Sequence, residues 1–185
     1  MDILVLGVGN LLLQDEGAGV RALDEFASRY ETPAGVELLD GGTSGIELLY
    51  HIQGRDRLII LDVVKCGNAP GTVVRLEGEE VPALFMSKIS PHQLGISDLL
   101  AVCRLLGKMP GEVVLLGIEP KSMDTGFAMS DEVSRNLGKL ADMLALELTS
   151  CGLDVPLKAG VSHPASFPPP HLPTAFLPGI NPPAV

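Results

Sequence analysis

The chain has 185 residues, 46% of them apolar, and a formal net charge of −10. Its length suits one domain, and no apolar run approaches the ~18 residues of a membrane span. Affinity for nucleic acids and anionic membranes comes largely from Lys and Arg meeting phosphates, so an acidic chain without a basic cluster argues against both and favours a protein or cationic partner.

Met1-Asp2 opens with an acid and runs directly into an apolar segment. The basic start and small-residue cleavage site of a signal peptide are missing, so the expected compartment is the cytoplasm. Ile3 to Gly7 reads as the first strand, followed by a glycine turn, Gly7-Val8-Gly9-Asn10. A helix is expected from about Gly17 to Tyr30, with Val20, Leu23 and Phe26 at helical spacing. Val36 to Asp40 is the second strand and Asp40-Gly41-Gly42-Thr43-Ser44-Gly45 a turn. Ser44 and Glu47 have capping-box spacing for a helix carrying Ile46, Leu48 and Leu49.

Leu58 to Val64 is the strongest strand, apolar except for Asp62, and Gly71 to Leu76 is a further, edge strand. After a connector from Glu77 to Ile89, Ser90-Pro91-His92-Gln93 reads as a helix start: Ser90 as N-cap, Pro91 at the first helical position, Gln93 closing the box. That helix should stop at Gly107. Glu112 to Ile118 is the last strand, and the last helix runs from Asp131 to about Thr149, opened by Ser130 and closed near Gly152. Alternating strands and helices imply an α/β fold, a mostly parallel sheet covered on both faces. From Val155 to Val185 the chain holds nine prolines and almost no charge, which reads as a Pro-rich flexible tail outside a domain of residues 1–154. His163 and His171 lie in that tail and read as incidental.

Open parallel sheets bind ligands beyond the carboxyl ends of their strands. The polar residues expected there are Asp15 and Glu16 after the first strand, Asp40 after the second, Asp62 near the end of the third, His92 before the last strand and Glu119 at its end. Asp62 is the most informative, because a carboxylate in an apolar run is costly unless paired, hydrogen-bonded or bound to metal. A bland alternative is a strand-end Asp that caps a loop. The positive end of a helix dipole disfavours imidazolium at His92, and neutral imidazole is the metal-binding form; a local hydrogen bond is the alternative. Glu16 could be an ordinary first-turn acid, and Asp40 could simply organise its Gly-Gly turn. Together Glu16, Asp62 and His92 offer two carboxylates and an imidazole, a set that suits a borderline divalent ion with open positions.

Other motifs carry less. A dinucleotide fingerprint requires G-x-G-x-x-G, and Leu12 stands where the third glycine should be. There is no G-x-S-x-G elbow and no H-E-x-x-H helix. The odd set Cys66, Cys103 and Cys151 fits reduced thiols. Cys66 is a remote candidate nucleophile that could meet His92, Cys103 belongs to an apolar stripe, and His51 has no partner in sequence.

Four blocks in order carry a family resemblance: Ile3-Leu-Val-Leu-Gly-Val-Gly-Asn-Leu-Leu-Leu-Gln-Asp-Glu-Gly-Ala-Gly-Val20, Asp40-Gly-Gly-Thr-Ser-Gly-Ile-Glu-Leu-Leu49, Leu58-Ile-Ile-Leu-Asp-Val63 and Lys88-Ile-Ser-Pro-His-Gln93. Spanning about residues 1–150, they resemble the hydrogenase maturation proteases, close to the subgroup that processes uptake-type nickel–iron hydrogenases. The resemblance implies a three-layer α/β/α sandwich with a twisted, mostly parallel five-stranded sheet. It implies metal-binding residues at Glu16, Asp62 and His92, and catalytic roles for Glu16 and Asp62, with Asp40 orienting the cut segment or assisting proton transfer. The implied substrate and partner is the nickel-loaded precursor of the hydrogenase large subunit, which loses a short C-terminal extension. Nickel would come with the substrate, other divalent ions such as zinc or cadmium could take its place in vitro, and the protein is expected to be a monomer. The Pro-rich tail departs from the shorter pattern of the family. A non-catalytic chaperone that hands nickel to a client would use the same ligands.

Overall fold

The computed structural model describes residues 1–78, 80–81 and 95–161. Five strands, β1 (Ile3–Val8), β2 (Val36–Gly42), β3 (Arg57–Val63), β4 (Val73–Glu77) and β5 (Glu112–Ile118), form one sheet in the order β2-β1-β3-β5-β4. β1 pairs in parallel with β2 and β3, and β3 in parallel with β5. β4 pairs antiparallel with β5 at the sheet's edge. Its direction follows from chain length: residues 64–72 reverse the chain after β3 but are too few for the helical crossover a parallel neighbour needs.

The described helices are α1 (Ala18–Arg29), α2 (Leu49–Ile52), α3 (Ile96–Leu105) and α4 (Asp131–Ser150). Two 3-10 turns, Gln14–Gly17 and Ile46–Leu48, precede α1 and α2. In α1, Ala18, Ala22, Leu23 and Phe26 form a buried stripe, the apolar face that a sheet-packing helix presents. The helix ends where Tyr30 turns extended.

Strand alternation sorts the core into two layers. Ile59, Leu61 and Val63 of β3 face α1 and α4 and join Ile3, Val5, Phe26, Leu140 and Leu144. Leu58 and Ile60 face the other way, packing with Leu4, Leu6, Leu48, Ile52, Leu99 and Cys103. Each fully buried Leu or Ile contributes roughly 1.5–3 kcal/mol. The sandwich therefore has the three layers expected, with β1 buried along its whole length.

Two local expectations need correction or comment. The Ser44–Glu47 capping box does not form: Gly45 stands at the N-cap with no side-chain cap, and a 3-10 turn leads into a single turn of α-helix. The Thr43-Ser44-Gly45 stretch follows the tight turn at Gly42 (φ 46°), and its backbone is spent on closing that turn, with Ser44 N–H donating to Gly41 O at 2.8 Å. The helix start at Ser90–Gln93 lies outside the described residues. α3 as described begins after Gly95, whose N–H donates to the Asp98 carboxylate at 2.9 Å.

Packing continues past residue 154. Val155 and Leu157 lie against the first core layer, and Lys158 donates to Arg29 O through its N–H and to Ala27 O through Nζ. Residues 162–185, with His163 and His171, are outside the described residues. Among the described residues no helix is long and apolar enough to cross a membrane.

Candidate active site at the carboxyl rim

Asp62 sits one residue from the end of β3, opposite Gly117 of β5. The strand's alternation places it on the side of Leu58 and Ile60. It is buried, 8% exposed, and Oδ1 accepts the Val63 N–H at 2.7 Å. It is the one acid in the apolar run of β3, at the head of a central strand.

Glu16 is carried by the 3-10 turn Gln14–Gly17, half-buried. Two glycines bring this turn against the sheet. A Cβ at Gly9 (φ +135°) would stand 1.8 Å from Glu16 O, and one at Gly19 would stand 2.2 Å from Leu61 O. A side chain at either position would push the turn off the end of β3. The glycine turn after β1 is thus explained by its close approach to the backbone of the Glu16 turn. Asp62 follows Leu61 directly, so the rim brings the loop of Glu16 and the strand of Asp62 to one place.

Asp40, at the carboxyl end of β2, is exposed, and its Oδ1 accepts the Gly42 N–H at 2.8 Å. This hydrogen bond closes its Gly-Gly turn. His92 lies outside the described residues. Among the described residues no three metal-ligating side chains cluster; the expected trio needs His92.

Two neighbours have structural tasks that the sequence did not disclose. Asp15 is fully buried and accepts the N–H groups of Lys121 (2.9 Å), Ser122 (3.0 Å) and Ser130 (2.6 Å) and the Ser130 hydroxyl (2.9 Å). Burial alone would raise its pKa. The N–H groups of Ser122, Ser130 and Lys121 and the Ser130 hydroxyl outweigh burial and hold the carboxyl below the ordinary aspartate range. Glu119 is buried and accepts the N–H groups of Cys66 (2.8 Å) and Asn68 (3.2 Å), pinning the turn after β3. Asp15 reaches partners more than a hundred residues away, and no local pattern announces that. Glu119 had been expected on the rim, and it is there as a loop anchor.

The cysteines are free thiols. Cys103 is in the second core layer, where burial pushes its pKa up, as its apolar stripe implied. His51, read as partnerless, has Nδ1 3.5 Å from the Glu37 carboxylate.

A mostly parallel sheet with acidic side chains gathered on its carboxyl rim defines an α/β protein of the kind in which ligands bind beyond the carboxyl ends of the strands. The chain belongs to the hydrogenase maturation protease family, whose sequence model matches residues 20–147. It is 45% identical over 155 residues to the hydrogenase 2 maturation protease of Escherichia coli K12, an alignment covering 83% of this chain and 94% of that one. It is 44% identical over 138 residues to the hydrogenase expression/formation protein HoxM of Azotobacter vinelandii, covering 74% and 67%. Among solved structures, the hydrogenase maturating endopeptidase HybD of E. coli superposes with a TM-score of 0.81 at 44% identity, covering 86% of this chain and 99% of that one. The chain is therefore a peptidase, and the non-catalytic chaperone reading gives way.

Proposed function

We propose that this chain is the endopeptidase that removes the C-terminal extension of a nickel–iron hydrogenase large-subunit precursor, with nickel already seated in the substrate as its recognition element. Family membership supports the processing of a hydrogenase subunit. The observation that carries the nickel reading is the buried Asp62 carboxylate at the head of β3, beside the glycine-lowered turn that bears Glu16.

In this reading Glu16, Asp62 and His92 complete the coordination of the ion that the precursor presents. Two carboxylates and an imidazole fit a borderline divalent ion. A nickel-free precursor would lack the anchor, so affinity would differ between the finished and the unfinished substrate. The same donors would accept zinc or cadmium in vitro. Asp40, exposed at the neighbouring strand end, would orient the cut segment or move a proton. The working unit is a monomer in the cytoplasm, where the precursor is made.

The test is precursor shortening by substoichiometric protein, with and without nickel in the precursor. Only the loaded precursor should be shortened. Glu16→Gln, Asp62→Asn and His92→Ala should each slow processing at least a hundredfold with an unchanged circular dichroism spectrum. Equal cutting of both precursors would sink nickel as the recognition element, and normal processing by all three variants would sink the ligand assignment.

A further inference from the structure

We propose that Leu11 and Leu12 of the β1–α1 loop and Phe127 of the β5–α4 loop form an apolar platform that docks the polypeptide of the precursor next to the cut; this rests on the function proposed above. The three side chains are 40%, 54% and 73% exposed. Single exposed apolar residues are ordinary, but several on loops held together beside a site point to an interaction surface.

These loops are stitched to each other. Gly126 N–H donates to Leu12 O and Gln14 N–H to Gly126 O, both at 2.8 Å, and Leu13 forms a parallel bridge with Gly126. Arg21 donates to Phe127 O at 2.9 Å, and Leu12 N–H to the Asn10 side chain at 2.9 Å. Asp15, one residue from Glu16, ties the same two loops together through Lys121, Ser122 and Ser130. The apolar side chains therefore stand on a backbone already fixed, and a surface that is ordered before binding loses less entropy on binding. Gln14 even holds φ 45° within this stitch, a conformation rarely adopted without glycine.

The occupant is a polypeptide with apolar side chains. The three residues are exposed, whereas a small molecule would seek a cavity; a cavity of about 480 Å³ lies at the other end of the sheet, between Arg57, Leu100 and Met109. The platform is continuous with the turn that carries Glu16, so a chain seated on it reaches the rim where an endopeptidase must hold its substrate. Phe127 belongs to the aromatic residues enriched at protein interfaces, and the two leucines add apolar area beside it.

Steady-state processing of nickel-loaded precursor tests this with Leu12→Ser, Phe127→Ser, the double variant, a conservative Leu12→Met/Phe127→Leu pair, and Leu105→Ser as an exposed control on α3. The double variant should raise KM at least tenfold with kcat within twofold of wild type, while the conservative pair and the control stay near wild type. An unchanged KM in the folded double variant overturns the proposal. So does a fall in KM, which would mean that the chain's own C-terminal segment covers the platform, or conversion of a dimer to a monomer in sedimentation, which would make it a self-association surface. Precursor affinity by calorimetry separates this from the proposed function. Wild type that binds without cutting sinks the function and leaves the affinity contrast to decide the platform; wild type that cuts with no contrast sinks the platform alone; wild type that neither binds nor cuts sinks both.

Discussion

The two ends of the sheet satisfy their acids in different ways. At the amino end, charges meet charges. Glu147, 3% exposed, lies 3.2 Å from Arg57 and 2.8 Å from Arg75, which also reach Glu112 and Glu77. Arg55 pairs with Asp2 at 2.6 Å and with Glu37 at 2.5 Å. At the carboxyl end, Asp15, Glu119 and Asp40 are answered by backbone N–H groups. Dipoles of this kind satisfy a carboxylate without cancelling its charge. The amino end is built for cohesion. The rim keeps negative charge in place, as the proposed recognition of a nickel-bearing substrate requires.

The largest effect should come from breaking the amino-end network. Glu147→Ala removes the acid shared by two largely buried guanidinium groups. Removing one partner of a buried pair costs about 3–5 kcal/mol. Arg57 keeps Glu112 and Arg75 keeps Glu77, so the lower end of that range is expected. Urea unfolding should show a fall in midpoint at constant slope. Because Glu147 is buried, 0.5 M salt should leave most of the loss intact. A loss below about 1 kcal/mol would erase the contrast between the two ends.

Asp15→Asn probes the rim by the same measurement. An amide keeps one acceptor but turns an NH2 group toward donors, and it gives up the charge that strengthens each bond. A loss of about 2 kcal/mol is expected. Processing should fall as well, since Glu16 and the apolar platform share the loops that Asp15 joins. A stability loss with untouched processing would show that the stitch serves the fold alone.

How far these features were legible in the sequence follows the same division. The five strands were legible because each is a short segment rich in Val, Ile and Leu, and Asp62 because it breaks the longest apolar one. Ser130 announced α4 by position, and the structure confirms it as N-cap. The short connector of residues 64–72 implies that β4 reverses direction, but its partner was not legible, because it pairs with β5, which comes later in the chain. The capping box at Ser44 looked right locally and lost to the tight turn before it. Asp15 and Glu119 read as two more acids on a rim. What each holds is a distant loop's backbone, and a backbone N–H leaves no trace in sequence. The Arg57–Glu147–Arg75 network was invisible for a related reason: its members come from two strands and the far end of α4.

Ser130→Ala gives the smallest and sharpest test. The Ser130 hydroxyl accepts the Val133 N–H at 3.4 Å as the cap of α4 and donates to Asp15 at 2.9 Å. Loss of a Ser N-cap costs about 1 kcal/mol, and the long cap bond places the expected loss near or below that figure. Ser130 N–H still reaches Asp15 at 2.6 Å in the variant, so the rim carboxylate keeps most of its support. The informative quantity is the coupling with Asp15→Asn. Residues that share one hydrogen-bond network deviate from additivity by 0.5–3 kcal/mol. If Ser130 acts on the rim through Asp15, the double variant should lose less stability than the two single losses combined. Strict additivity would make Ser130 a helix cap alone, and the rim would then owe its order to backbone donors, with no help from a side-chain hydroxyl.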